Sequence, residues 1–293
     1  MLRVLLFLAT NIAVLIVASI TLSLLGVRGY LTENGINFQA LLLFCFVFGM
    51  SGAFISLLLS KFLAKMATKT RLITKPANER EAFLVQTVGM LARQANIGMP
   101  DVGIFPAEQA NAFATGFNRN KALVAISQGM LSRYTESEIK AVLAHEVSHV
   151  ANGDMITMTL LQGVINTFVM FLARVIGYTV DKAVFRSKEI GIGYYIVVFL
   201  CEIILSILAS IIVMWFSRRR EYAADAGAAR FAGSTSMIEA LEHLQKESGM
   251  PNQMPQSLNA FGIAEGKHKG FSLAHLFASH PPLEKRIEAL RKV

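Results

Sequence analysis

The chain has 293 residues, 54% of them hydrophobic and only 16% charged; a mean hydropathy of +0.49 excludes an ordinary soluble domain and points to membrane spans. The formal net charge of +8 gathers beside apolar runs, which suits anionic lipid and membrane orientation, and no basic stripe interleaved with aromatics speaks for nucleic acid. The two cysteines, Cys45 and Cys201, both lie in apolar runs and exclude a disulfide framework or a Cys-x-x-Cys zinc site.

Val4 to Gly26 is a nearly unbroken apolar run, about 34 Å long as a helix and enough to cross a bilayer. Arg3 gives it the positive start of a signal peptide, but the run exceeds the usual apolar core of about 7–15 residues, which favours a retained span. Asn34-Gly35 marks a turn into a second span, about 38–59, where Gly49, Ser51 and Gly52 suit close helix packing. Lys61, Lys65, Lys69, Arg71, Lys75 and Arg80 then crowd the chain, whereas the preceding loop holds only Arg28 and Glu33. The positive-inside rule therefore places the end of span two and the N-terminus in the cytoplasm.

Residues 61–154 read as soluble α+β. Asn78 and Glu81 resemble a capped start, and Phe83, Leu84, Val88, Leu91 and Ala95 mark an amphipathic helix ended by Gly98 and Pro100. Residues 102–105, 111–116 and 122–126 look like short strands of a small meander. An exposed edge strand there can align an extended peptide by backbone hydrogen bonds.

A capping box, Thr135 to Glu138, then opens a helix with an apolar stripe at Ile139, Val142, Leu143 and Val150, stopped at Asn152-Gly153. Inside it lies His145-Glu146-Val147-Ser148-His149. Four residues apart on a helix, the two imidazoles share a face and can each offer one nitrogen to one tetrahedral zinc ion. Glu146 then points to the open side, placed to take a proton from an attacking water and pass it to a leaving amine. The chemistry implied is hydrolysis of a peptide bond, with one Zn2+ per chain. The blander reading, a surface helix with two solvated histidines, is weakened by these start and stop signals.

Apolar runs at about 155–180 and 190–216 read as spans three and four. Gln162, Asn166 and Arg174 face other helices or snorkel, and Glu202 makes an interhelical hydrogen bond or serves a polar cavity. Span four ends at Arg218-Arg219-Arg220, which returns the chain to the cytoplasm. The division expected is 1–60 (two spans), 61–154 (first catalytic part), 155–216 (two spans) and 217–293 (second catalytic part).

Catalytic zinc usually takes three protein ligands, and the positions after His149 offer no third histidine at the extended-motif spacing. Glu221 is the best candidate, with Asp225 one turn on to hold an imidazole N–H; the alternative is an interfacial helix in which Glu221 pairs with an arginine. Without further context, His280 before Pro281-Pro282 reads as an exposed residue at a helix start, and His243, His268 and His275 as surface histidines. Glycines and prolines between about 247 and 270 suggest a mobile loop, a lid if it lies over a cleft.

Over essentially its whole length the chain resembles the HtpX group of membrane-bound zinc metalloproteases, bacterial relatives of the type I CAAX prenyl proteases. The two N-terminal spans, residues 111–116, His145 to Asp154, Arg220 to Ala226 and Ser279 to Arg286 carry the resemblance. It implies zinc held by His145, His149 and Glu221, Glu146 as base and Asp225 as support. It further implies a substrate-aligning edge at Asn111, Ala112 and Phe113, and an oxyanion stabilised by His280, with Arg286 assisting there or orienting acidic neighbours. The expected protein is integral to the membrane and mainly α, with four transmembrane helices and a cytoplasmic α+β zincin-like metalloprotease domain holding a small β-sheet. Its partners are polypeptide substrates and the lipid bilayer, and its expected place is the bacterial inner membrane, both termini and the active site cytoplasmic. The expected role is turnover of misfolded or damaged membrane proteins under stress. The competing readings are a scaffold or holdase with a structural metal, and an intramembrane protease, which the polar flanks of the helix disfavour.

Overall fold

A computed structural model of the chain describes residues 2–27, 29–32, 35–186, 190–247, 263 and 278–292. In chain order its elements are α1 (Leu2–Leu24), β1 (Leu31–Thr32), β2 (Gly35–Ile36), α2 (Phe38–Thr68), β3 (Arg71–Leu72), α3 (Glu79–Gln94), β4 (Asp101–Phe105), β5 (Ala112–Thr115) and β6 (Leu123–Ser127). They continue with α4 (Gln128–Arg133), α5 (Glu136–Asn152), α6 (Asp154–Ala183), α7 (Ile192–Ala232), α8 (Ser234–Glu247) and α9 (Leu283–Leu290). The chain divides into two compact units, residues 1–57 with 158–213, and 58–157 with 214–293.

The first unit is helical apart from the short antiparallel pair β1-β2. Among the described residues α2, α6 and α7 are each long and apolar enough to cross a membrane. Along α7, Ile196, Phe199, Leu200, Ile203, Ile207 and Leu208 are all exposed, an arrangement suited to lipid rather than water. Gly49 of α2 lets α6 approach closely, because a Cβ there would meet the Thr167 backbone nitrogen at 2.8 Å. Gly52 has open space around its Cβ position and makes no such approach. Glu202 finds its partner in Arg174, whose Nη1 donates to Glu202 Oε1 at 2.7 Å, while Gln162 donates to Asn166.

The second unit is built round α5. From Ile139 to Val150 every residue but Lys140 is buried, including the charged ones, and the helix packs on α3, α8 and β5. The capping box forms as read: Thr135 Oγ1 accepts from the Glu138 backbone, and the Glu138 carboxylate accepts from Thr135 N–H at 2.8 Å. At the other end Gly153, at φ 72°, is left-handed and donates to the carbonyls of His149 and Val150, a stop that glycine makes without Cβ strain.

The sheet is not the expected meander. Its order is β3-β4-β6-β5, with β4 parallel to β6 and the other pairs antiparallel. β6, apolar but for its terminal Ser127 and buried throughout, takes the central position, where both its faces and both its edges are covered. β5 is thereby sent to the edge. Phe105 and Phe113 pack at 5.5 Å between centroids in a cluster with Ala64, Ala107, Leu123 and Ala125.

The Arg174–Glu202 pair makes the first unit testable. Arg174→Leu alone strands a carboxylate among apolar helices and should lower stability by about 2–3 kcal/mol. R174L combined with E202L should melt near the wild type in detergent, because replacing both charges leaves nothing unpaired.

Candidate metal centre

Three segments of the second unit converge. α5 brings His145, Glu146 and His149; the part of α7 beyond its apolar stretch brings Glu221 and Asp225; and the C-terminal segment brings His280 and Arg286. All seven are buried. Gly227 sets how near α7 comes to α5: a Cβ there would lie 2.3 Å from Ser148 Oγ and 2.8 Å from its Cβ, so a larger residue must push the helices apart. α7 extends to Ala232, so Glu221 lies within a helix rather than in a linker.

His145 Nε2 and His149 Nε2 face each other at 3.1 Å. Glu221 closes the triangle, with Oε2 3.5 Å from His145 Nε2 and Oε1 3.2 Å from His149 Nε2. Ligand atoms about 2.0–2.1 Å from a tetrahedral zinc stand about 3.3 Å apart, close to all three separations. The outer nitrogens explain the orientation. His145 Nδ1 lies 3.0 Å from Asp225 Oδ1 and His149 Nδ1 2.6 Å from Asp154 Oδ2. A carboxylate accepts only, so each neutral ring must carry its hydrogen on Nδ1 and show a lone pair at Nε2. Both Glu221 oxygens, together with Glu146 Oε2, are buried without a hydrogen bond of good geometry. Ligand atoms of three groups gathered at one point fit a cation.

His280 is buried, not exposed as the proline context had suggested, and its Nδ1 lies 2.7 Å from Glu221 Oε2. Arg286 is also fully buried, and it grips Asp225 through Nε at 2.8 Å and Nη2 at 2.7 Å. Of the two roles the sequence left open for Arg286, the geometry displays the orienting one; Nη1 lies 3.6 Å from Glu221 Oε2. Burial lowers the Arg286 pKa, but the Asp225 charge and hydrogen bonds more than reverse this and keep the guanidinium charged. Burial pushes the Glu146 carboxyl above its ordinary range, against the smaller opposing effect of the histidines, which suits a group that must accept and return a proton.

Asn111, Ala112 and Phe113 all lie at the β5 edge and are buried. Their roles differ by alternation. Ser127 N–H donates to Asn111 C=O, so Asn111 and Phe113 turn their backbone groups toward β6, and Ala112 turns its own outward. The Phe113 ring lies in the core.

Asp154 was missed as a partner of His149; its signal was an acid placed just past the Gly153 stop. His243 is not a plain surface histidine: it stacks on Tyr134 at 3.9 Å between centroids and bonds Glu138 Oε1. His268, His275 and most of the suggested lid lie outside the described residues.

The profile of Peptidase family M48 matches residues 78–293. The chain belongs to that family. It is 61% identical over 291 residues to "Protease HtpX" of Hahella chejuensis, covering 99% of both chains. It is 58% identical over 295 residues to the protein of that name in Pseudomonas fluorescens, with 100% of this chain and 99% of that one covered. Among solved structures, that of S. mikatae Ste24p is similar in fold, with a TM-score of 0.61 at 18% identity, over 85% of this chain and 58% of that one. The chain is thus a membrane metalloprotease of a family whose members use a metal, typically zinc, and the scaffold reading falls.

The two outer carboxylates should matter to metal affinity before they matter to chemistry. Asp154→Asn and Asp225→Asn are each expected to weaken zinc binding about 10- to 100-fold, read by competition with a chelating dye. Affinity should also depend on pH. In the metal-free chain burial lowers the His149 pKa, but the Glu221 charge and the Asp154 bond raise it to about 9. Binding below that pH must expel a proton, so affinity should climb about tenfold per unit up to that point and level off above it.

Proposed function

We propose that this chain is a zinc-dependent endopeptidase that hydrolyses misfolded or damaged membrane proteins at the cytoplasmic face of the bacterial inner membrane. The observation that carries the proposal is the convergence of His145 Nε2, His149 Nε2 and the Glu221 carboxylate on one point beside the unbonded Glu146 Oε2.

In this reading His145, His149 and Glu221 hold one zinc ion, which when bound supplies Lewis acidity to water and to the substrate carbonyl. Asp225 and Asp154 fix the two imidazoles through Nδ1, and Arg286 fixes Asp225. Glu146, its carboxyl pushed up by burial, accepts the proton of the attacking water at Oε2 and returns it to the leaving amine nitrogen. His280 donates toward the oxygen on which negative charge develops. The outward backbone of β5 at Ala112 aligns the substrate, with Asn111 holding that edge in place; Phe113 supports it from the core.

The cytoplasmic assignment rests on the basic residues that follow α2 and the arginines at 218–220, which agree in sign. With α1 as a fourth span, both termini lie inside. The spans 1–60 and 155–216 then anchor a catalytic domain assembled from 61–154 and 217–293. Proximity to lipid is the reason to favour membrane proteins as substrates.

Glu146→Gln should retain full zinc and lose more than about 100-fold in casein cleavage, whereas Glu221→Ala should lose the metal itself. Undiminished turnover in the Gln variant ends the proposal.

A further inference from the structure

The edge strand β5 is not open along its whole length. It is the last strand of the sheet, and alternation from the Asn111–Ser127 hydrogen bond turns the N–H and C=O of Ala112 away from β6. Both groups are already taken. The Ala112 N–H donates to the side-chain Oδ1 of Asn111 at 2.9 Å. The Ala112 C=O accepts from the backbone N–H of Ile263 at 3.2 Å. Ile263 comes from a distant stretch of the same chain, and it is only 1% exposed. Its aliphatic side chain is therefore enclosed, so the backbone bond comes from a buried residue.

An added β-strand is recognised in two ways, by backbone hydrogen bonds to the edge and by pockets for alternate side chains. Ile263 makes the backbone bond to the edge, and its buried side chain is aliphatic. We infer that Ile263 occupies the subsite of a substrate residue, so that the chain masks its own peptide-binding edge and the subsite beneath selects an aliphatic side chain. The inference rests on β5 being the substrate edge, as proposed above. The favoured substrate is then an extended segment with Ile, Val or Leu at this position, a composition that misfolded membrane proteins expose in quantity.

Masking has a kinetic consequence. A substrate residue can bond to Ala112 only in the fraction of molecules from which Ile263 has withdrawn, and apparent affinity falls by that fraction. Once the substrate is bound, the metal centre is the same in either case. Loss of the mask should therefore lower KM and leave kcat unchanged.

The test uses the full-length, zinc-loaded protein in detergent, with casein as substrate. Ile263→Pro removes the N–H donor, Ile263→Asp makes burial of the side chain unfavourable, and Ile263→Val conserves both features. KM should fall about 3- to 10-fold in the Pro and Asp variants, kcat should hold, and the Val variant should match the wild type. Ile263→Ala, which only shortens the side chain, should give a smaller fall and decides the matter if the other two do not fold. As a second measurement, a capped pentapeptide with central isoleucine should inhibit casein cleavage, and the same peptide with central aspartate should not. An unchanged or raised KM in zinc-replete variants overturns the inference, as does equal inhibition by the two peptides. Glu146→Gln in each background separates the two failures: residual cleavage there sinks the hydrolytic reading, whereas cleavage lost in that variant with KM unmoved by Ile263 sinks only the mask.

Discussion

Two imidazole nitrogens held 3.1 Å apart with a buried carboxylate against both is an arrangement that a protein interior does not tolerate by itself. Facing lone pairs repel unless a proton or a cation stands between them. The site stays intact because charge alternates outward from its centre. Glu221 and the two rings face inward, Asp225 and Asp154 stand behind the rings, and Arg286 stands behind Asp225. A buried ion costs several kcal/mol of lost hydration unless it is paired, so each layer is needed by the one inside it. A cation at the centre completes the alternation.

That chain of pairings sets demands on the helices. α5 must be buried on nearly every side, because its functional groups alternate with core residues around the whole helix. α7 must pass close enough for Glu221 to reach both rings, and the bare Cα of Gly227 against Ser148 allows it. α5 must also end abruptly. The left-handed turn at Gly153 breaks the helix direction, and Asp154, the next residue, swings back to the ring of His149. Gly153 is thus both a helix stop and the hinge that supplies a carboxylate. In the helical unit the same electrostatic rule appears on a smaller scale, where Arg174 and Glu202 neutralise each other among apolar side chains.

The sheet adds a constraint of another kind, which is parity. Three consecutive residues, Asn111, Ala112 and Phe113, stand at the edge, and in an antiparallel pair only alternate residues turn their backbone outward. Pairing with β6 selects Ala112 for that role, sends the Phe113 ring into the core and leaves Asn111 to fasten the turn with its side chain. A slip of one residue in register would exchange these roles completely. The edge is therefore defined by its pairing with the central strand.

Much of this protein is written in local sequence. Spacing of four between His145 and His149, a capping box at Thr135 and a glycine stop at 153 are signals that a few adjacent residues carry, because helix geometry is local. The apolar runs are equally local, since crossing a bilayer depends on length and composition, although α2 runs on to Thr68 and α7 to Ala232, where sheet and metal-site packing rather than hydropathy decide the end. Glu221 and Asp225 were legible as candidates from their spacing and their place after an apolar run. What tertiary structure alone decided were the relations between distant segments: the parallel pairing of β4 with β6, the burial of His280, the grip of Arg286 on Asp225 and the contact of Ile263 with Ala112. None of these has a period or a cap to announce it. Each depends on which surfaces meet once the core around α5 has closed, and short-range preferences carry no record of that.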